Sequence, residues 1–354
     1  MNEELLTALS DICKEKGIEP DVILDALEAA LVAAYKRNFN SAQNVEVQLN
    51  RETGAVRVVA KKEVVEIAED GMGQTEISLE DAKKISGSYN IGDIVDVEVT
   101  PRNFGRIAAM TAKQVITQRL REAEREILYD EYADKLNQIV TGKIERIEHG
   151  NLYIDIGKAE AVLPSSEIPP TEQPINDFYD VHQHVCCYIS EVKNGAKGMQ
   201  IILSRTHPGF VRKLFEREVP EIADGTVEIK SIAREAGSRT KIAVYSADPN
   251  IDAQGACIGA KGMRVQNIGE ELGDEKIDII KWSEDPAEYI ASSLSPSKVL
   301  SVIVNEEEKS ASVTVPEYQL SLAIGKSGQN VRLAARLTGW KIDIVTVDDV
   351  KEAE

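Results

Sequence analysis

Two stretches of the chain repeat one pattern, and this repeat decides the fold. Residues 240–282 read TKIAVYSADPNIDAQGACIGAKGMRVQNIGEELGDEKIDIIKW, and residues 309–347 read KSASVTVPEYQLSLAIGKSGQNVRLAARLTGWKIDIVTV. Each copy reads as strand, helix, Gly-x-x-Gly tetrapeptide, second helix, and a final strand that begins Lys-Ile-Asp-Ile. The tetrapeptides start at Gly259 and Gly325, 66 residues apart. The repeat predicts two successive small domains of mixed helix and strand.

The repeated tetrapeptide has the properties of a loop that binds an anionic chain. A glycine at each end allows a tight turn and leaves room for another chain to approach. The helix that follows presents its N-terminus, where the N–H groups and the helix dipole favour an anion. Helix, Gly-x-x-Gly, helix on a small sheet is the KH arrangement, which clamps about four nucleotides of single-stranded nucleic acid. The candidate RNA-binding residues are Gly259, Ala260, Lys261, Gly262 and Arg264 in the first copy, and Gly325, Lys326, Ser327, Gly328 and Arg332 in the second.

Charge is distributed unevenly around these loops. The chain has 354 residues and a formal net charge of -19, which by itself argues against nucleic-acid binding. However, no acidic residue occurs in 253–269 or in 318–342, whereas lysines and arginines occur in both windows. The local field at the loops is therefore expected to be positive, with salt-dependent binding.

Rival interpretations of the glycine loops are weaker. A single Gly-x-x-Gly is usually a plain turn, but a duplicated one in matching context is not easily a coincidence. A nucleotide-binding P-loop ending at Gly325-Lys326-Ser327 would need a glycine at position 320, where Leu320 stands. In the first copy Ala260, not glycine, precedes Lys261. No cofactor is predicted.

A second kind of unit precedes the repeat. Five short strand-like segments follow one another in 131–203, with glycines at the corners, which is typical of a small closed barrel. They are Gly142–Ile147, Asn151–Ile156, Ala159–Leu163, Val185–Val192 and Met199–Leu203. The segment GKIERIEHGNLYIDIG (142–157) resembles the RNA-binding OB barrel of the ribosomal-protein-S-one type. Tyr153 is expected to point outward, either as a base-stacking residue or as an ordinary exposed strand tyrosine.

Metal binding and hydrolytic catalysis find no support in the sequence. His182, His184 and Cys186 alternate on one strand, where side chains splay rather than converge, and no fourth ligand is evident. The four cysteines form no C-x-x-C pair, which favours reduced thiols in the cytoplasm. No apolar run approaches the ~20 residues that span a bilayer. The expectation is a cytoplasmic protein that is not an enzyme and has no metal site.

The N-terminal region reads as an α/β domain with a long connecting helix. Helices are predicted at Glu3–Cys13 and Pro20–Phe39, strands at Val45–Leu49, Ala55–Ala60 and from Ile94, and a helix from Gly105 to about Tyr129. Lys36 and Arg37 end the second helix, and Arg106 and Lys113 share one face of the long helix. These four residues are either a basic strip facing RNA or a solvated helix surface, which is the commoner case.

The order of these units resembles the NusA family of bacterial transcription factors. The likeness is dense in ALEAALVAAYKRNF (26–39), NFGRIAAMTAKQVI (103–116), SRTHPGFVRKLFEREVPEI (204–222), REAGSRTKIAV (234–244), DAQGACIGAKGMRVQNI (252–268) and AIGKSGQNVRLAARLTGWKIDIVTVDD (323–349). The resemblance implies an N-terminal domain docked on RNA polymerase, with the barrel and KH modules holding nascent RNA to modulate pausing, termination and antitermination. Other transcription elongation factors are further possible partners.

The expected fold is therefore multidomain α+β. Its predicted parts are an N-terminal α/β docking domain (1–130), an S-one-type OB barrel (131–203), two tandem type II KH domains (204–284 and 285–348) and a short acidic tail (349–354). Two alternatives stay open: a ribosome-associated factor, or an RNA-decay enzyme that carries the same modules. A monomer is favoured.

Overall fold

A computed structural model describes residues 11, 13–14, 19–39, 45–51, 53–67, 75–195 and 198–347. The chain divides into two compact units, residues 1–127 and 128–354. The predicted helix Glu3–Cys13 lies mostly outside the described residues, as does the acidic tail 349–354. Among the described residues, no helix combines the length and the apolar composition that crossing a membrane requires.

The first unit is a small sheet packed against helices. Its elements are α1 (Pro20–Phe39), β1 (Val45–Leu49), β2 (Val56–Val65), β3 (Glu76–Ser78), α2 (Leu79–Ile85), β4 (Ile94–Glu98) and the first part of α3 (Phe104–Ala133). Strand β2 pairs with β1 and β4 in antiparallel fashion and with β3 in parallel. Alternate residues of β1 are buried against α1 and the start of α3, where Leu27, Leu31 and Phe104 form the core. The helix predicted at Pro20–Phe39, the three predicted strands and the long helix are confirmed, with α3 extending to Ala133.

The second unit begins with the predicted closed barrel, which the structure confirms. Its strands are β5 (Ile139–Glu148), β6 (Asn151–Asp155), β7 (Glu160–Leu163), β8 (His184–Gly195) and β9 (Gly198–Ser204), in the closed order β5-β6-β7-β9-β8. A short helix, α4 (Ile175–Phe178), lies between β7 and β8. Leu152 and Ile154 fill the interior. Gly142 is required within β5, because a Cβ there would lie 2.6 Å from the carbonyl oxygen of Asp155.

The two repeat copies share the order helix–strand–strand–helix–helix–strand, and the first copy has one additional short helix, α6, before its first strand. The first contains α5 (Pro208–Glu218), α6 (Pro220–Ala223), β10 (Glu228–Glu235), β11 (Arg239–Tyr245), α7 (Ala253–Ile258), α8 (Met263–Glu271) and β12 (Lys276–Lys281). The second contains α9 (Pro286–Ser293), β13 (Ser301–Asn305), β14 (Ser310–Val315), α10 (Leu320–Ile324), α11 (Gln329–Thr338) and β15 (Lys341–Thr346). In each sheet the middle strand pairs antiparallel with the first and parallel with the last. Helix α9, which the sequence analysis did not predict, packs in the core of the second copy.

Candidate nucleic-acid interface

The two Gly-x-x-Gly loops adopt one backbone conformation. Gly259 and Gly325 have φ values of 73° and 77°. The third loop residues, Lys261 and Ser327, have φ values of 53° and 51°, a left-handed conformation that non-glycine residues seldom adopt. The sequence repeat therefore extends to the turn itself.

The first glycine of each loop is fixed by close packing. A Cβ added at Gly259 would lie 2.7 Å from Cγ of Arg264, and one at Gly325 would lie 2.8 Å from Cβ of Asn330. The last glycine of the first loop, Gly262, faces open space. The first loop is thus held at Gly259 and open at Gly262, whereas the second has Arg332 4.0 Å from a Cβ added at Gly328.

Both loops lead directly into helix N-termini. Gly262 and Gly328 are the N-cap residues of α8 and α11, and neither supplies a capping side chain. The first turns of both helices carry no acidic residue. The positive ends of the two helix dipoles are therefore available to an anion such as a phosphate.

The loop lysines are exposed but occupy different positions. Lys261 is the third residue of the first loop, whereas Lys326 is the second residue of the second loop. Ala260 and Ser327 are exposed beside them. The two loops therefore share a backbone but present their positive charge differently.

The two arginines that were predicted to bind RNA beside the loops, Arg264 and Arg332, make different contacts. Arg264 donates to the carbonyl oxygen of Ala256 (2.6 Å) and to Glu221 (2.9 Å), and its side chain is 29% exposed. Its counterpart in the second copy is Asn330, which donates to the carbonyl oxygen of Ala323 at 3.0 Å. Arg264 therefore braces the first loop from behind.

Arg332 instead links the second loop to the first KH-like copy. It donates to the carbonyl oxygen of Ser327 (3.1 Å) and to both carboxylate oxygens of Glu235 (2.7 and 3.2 Å). Gln329 donates to the same carboxylate at 2.8 Å. The hydrogen bond from Arg332 is the main reason that the pKa of Glu235 is lowered. Sequence reasoning missed Glu235, because nothing in its surroundings marks it as a partner 97 residues away.

The two copies are also joined by an apolar contact. Leu333 and Leu337 of α11 are buried against Ala233, Ala243 and Ile280 of the first sheet. Buried apolar groups packed from both copies oppose relative rotation. The two loops are consequently carried on one rigid pair of domains.

The barrel is tied to the first copy by a buried ion pair that the sequence did not indicate. Arg205 lies 6% exposed and contacts both carboxylate oxygens of Glu172. It also donates to the backbone carbonyl oxygens of Cys186 (2.7 Å) and Glu271 (2.8 Å), the last residue of α8. A single guanidinium thus connects two barrel segments to the helix behind the first loop.

Tyr153 lies on the outer surface of the barrel, as predicted, and is half-buried. The guanidinium of Arg146 lies over its ring, 3.8 Å from the centroid. Arg146 also pairs with Glu160 on the neighbouring strand β7. A base stacking on this face would have to displace Arg146 or stack on its plane.

The N-terminal basic residues lie at one corner of the first unit. Lys36 and Arg37 are exposed in the last turn of α1, and Arg106 and Lys113 are exposed on α3. The rings of Tyr35 and Phe104 lie 5.7 Å apart and hold the end of α1 against the start of α3. Met110, 75% exposed, lies between the two α3 cations on the same helical face.

The histidines do not form a metal centre. His182 lies in a left-handed turn, His184 is exposed, and Cys186 is buried. Over the described ranges of the chain, no group of three or more potential ligands gathers.

Fold and site together define a class of protein, a multidomain RNA-binding protein with a barrel followed by paired KH domains. Models of four known domains match in the same order: NusA N-terminal domain (4–126), S1 RNA binding domain (133–204), NusA-like first KH domain (205–282) and NusA-like second KH domain (286–352). The predicted fold class is thereby confirmed.

Curated relatives match along nearly the whole chain. The transcription termination/antitermination protein NusA of Bacillus subtilis is 57% identical over 352 residues, which cover 99% of this chain and 93% of the relative. The same-named protein of Thermus thermophilus is 41% identical over 100% of this chain and 93% of the relative. The Mycobacterium tuberculosis H37Rv protein is 43% identical over 96% and 92%. The solution structure of the N-terminal domain of B. subtilis NusA is 60% identical, covers 35% of this chain and 99% of its own, and has a TM-score of 0.32. The chain belongs to the NusA family.

Proposed function

We propose that this protein is a cytoplasmic transcription factor that holds nascent single-stranded RNA across its two KH loops while its N-terminal domain docks on RNA polymerase. In this role it modulates pausing, termination and antitermination without catalysing a reaction. The domains that carry the function are residues 1–130, 131–203, 204–284 and 285–348. The names of the relatives support the transcriptional role.

One observation carries the RNA-holding part: two identical loop conformations fixed on one rigid pair of domains. Each loop leads into a positive helix end, and the first is open at Gly262. The Leu333 and Glu235 contacts fix the second domain on the first. A strand that meets two pre-positioned loops loses less freedom than one that must order two tethered domains.

The residues divide into those that touch RNA and those that support them. We assign phosphate contacts to the backbone of both loops and to Lys261 and Lys326. Ala260 and Ser327 line the same openings. Arg264 and Arg332 hold the loops in position. Tyr153, with Arg146 beside it, offers a secondary stacking surface on the barrel.

Aspartate substitutions in the loops test the clamp. The pairs Ala260→Asp/Lys261→Asp and Lys326→Asp/Ser327→Asp place negative charge where phosphate would lie. Aspartate tolerates the left-handed conformation at Lys261 and Ser327 better than most residues, so the turns should survive. RNA affinity, measured by fluorescence anisotropy, should fall steeply for each pair. Lys276 and Lys281 lie on β12 of the same domain, so substituting them would not be a clean control. Lys143→Asp on the barrel is the control instead. Unchanged affinity in both loop variants would reject the clamp.

Docking on polymerase is assigned to the corner formed by α1 and α3. Its exposed cations and Met110 form a mixed basic and apolar surface. Replacing Lys36, Arg37, Arg106 and Lys113 with glutamate should abolish co-purification with polymerase subunits from a bacterial lysate while RNA affinity is retained. If polymerase association survives this reversal, the basic strip is only a solvated surface. Co-sedimentation with ribosomal particles in place of polymerase would favour the ribosome-associated alternative.

A further inference from the structure

A cavity of about 520 Å³ lies beside the start of α7 in the first KH domain. It is bounded by Asp252 and Gln254 at the start of that helix, by Tyr245 at the end of β11, and by Lys281 and Trp282 at the end of β12. Helix α7 has six residues and ends at Gly259, so the cavity lies about 9 Å along the helix from the first loop. Its volume is in the range of roughly 300–1,000 Å³ typical of small-ligand sites.

Two aromatic side chains form one wall of this cavity. The ring centroids of Tyr245 and Trp282 lie 5.2 Å apart at an interplanar angle of 78°. Both side chains are only half-buried, although the chain has just two tryptophans and the other, Trp340, is 8% exposed in a domain core. Aromatic rings that stay accessible at the edge of a nucleic-acid groove are stacking partners for unpaired bases.

Charges around the aromatic pair suit a nucleotide. The Lys230 ammonium lies 5.0 Å from the Tyr245 ring centroid and 5.3 Å from that of Trp282, and Lys281 is exposed at the rim. Lys230 is paired with Glu228, and Asp248 also lines the cavity, so the phosphate of a nucleotide whose base enters the cavity is assigned to Lys281. The carboxylate of Asp252 can accept a hydrogen bond from a base amino group, which adenine and cytosine have and uracil lacks.

Continuity with the first loop identifies the occupant. Gln254 donates to the carbonyl oxygen of Ile279 at 2.8 Å and so closes α7 onto β12 between the cavity and the loop. An RNA strand clamped at Gly259–Gly262 and lying along α7 reaches the cavity after one or two nucleotides, because an extended single strand spans several ångströms per nucleotide. We propose that the Tyr245–Trp282 cavity holds one base of the same RNA strand, with a preference for an amino-bearing base. This proposal rests on the proposed RNA-holding function.

The tryptophan count makes a direct test possible. In the full-length Trp340→Phe variant, Trp282 is the sole tryptophan. The probes are oligoadenylate and oligouridylate of about twelve nucleotides, long enough for several sites of about four nucleotides each. Oligoadenylate should quench Trp282 emission, with the same midpoint as binding measured by anisotropy.

Substitutions give the second readout. In the otherwise native chain, Trp282→Leu should weaken oligoadenylate binding roughly fivefold to a hundredfold, which is the range for one lost stacking contact. Trp282→Phe should restore most of the affinity, because it keeps a stacking face. Phe178→Leu, which changes a half-exposed aromatic of the barrel, is the matched control and should bind as the native chain does.

The outcomes separate the two proposals. If oligoadenylate binds and the loop aspartate variants weaken it, but Trp282 emission and the Trp282→Leu affinity do not change, the cavity proposal is overturned and the RNA clamp stands. Equal quenching and affinity for both oligonucleotides would overturn the amino-base preference. If neither the loop variants nor Trp282→Leu alters binding, the proposed RNA-holding function itself fails.

Discussion

The buried contact between Arg205 and Glu172 allows a quantitative prediction about how the barrel is held on the first KH domain. The two side chains are 7% and 8% exposed and form two hydrogen bonds of 2.9 and 3.1 Å. Arg205→Met removes one partner and leaves the carboxylate of Glu172 buried with the Tyr179 hydroxyl as its remaining side-chain partner among the described residues. Breaking a buried pair in this way costs roughly 3–5 kcal/mol. At about 1.4 kcal/mol per tenfold, the opening of this region should become roughly 100- to 4,000-fold more frequent.

Hydrogen exchange followed by mass spectrometry reads this opening directly, because it reports local free energies without assuming two-state unfolding. Peptides covering β8, β9 and α8 should lose protection in Arg205→Met, whereas peptides from the second KH domain should change less. The double variant Arg205→Met/Glu172→Leu should recover much of the protection, since a buried ion pair replaced by apolar groups is often neutral. Native protection in the single variant, or no recovery in the double variant, would refute the reasoning.

Three further predictions concern the loops and the thiols. Gly325→Ala should lower the Tm of the second KH domain, because the new Cβ meets Asn330 at a φ of +77°; Gly339→Ala, with a similar φ but open space, should lower it less, as calorimetry can show. The pKa of Glu235 is lowered chiefly by the hydrogen bond from Arg332. The stabilisation from this contact is therefore complete above the ordinary glutamate pKa and is lost as the pH falls through the lowered pKa. Protection of α11 against hydrogen exchange should fall with acid in the native chain and should depend less on pH in Glu235→Gln. Burial raises the pKa of Cys187 and of Cys257 to about 12, and all four cysteines are buried. A thiol reagent at pH 8 should therefore label almost none of them in the native protein and all four after denaturation.

The paired loops were predictable from sequence because their information is local. Glycine spacing, the charge windows and the alternating strand residues all act over a few positions, and the repeat supplied each pattern twice. The barrel strands followed from the same alternation, to within a few residues at each end. Helix α9 (Pro286–Ser293) was not predicted, because a segment with two prolines, Pro286 and Pro296, is typical of a linker. Pro286 instead occupies the first turn of the helix, where proline is common.

What the sequence could not predict are contacts between distant segments. Arg332 was grouped with the second loop as an RNA-binding residue, yet it donates to Glu235 of the first copy. Glu235 and Arg205 act through partners in other domains, and no local pattern marks them. The sequence therefore predicted where RNA is expected to bind, whereas the supports that fix the two loops relative to each other emerged only from packing.

The most direct test of two loops gripping one strand is the dependence of affinity on RNA length. Oligonucleotides from about four nucleotides upward should bind weakly until they span both loops, and then bind much more tightly, because the second contact becomes intramolecular. The loop variants Ala260→Asp/Lys261→Asp and Lys326→Asp/Ser327→Asp should each remove that increase. A native chain whose affinity shows no such increase, or loop variants that retain it in full, would contradict the account.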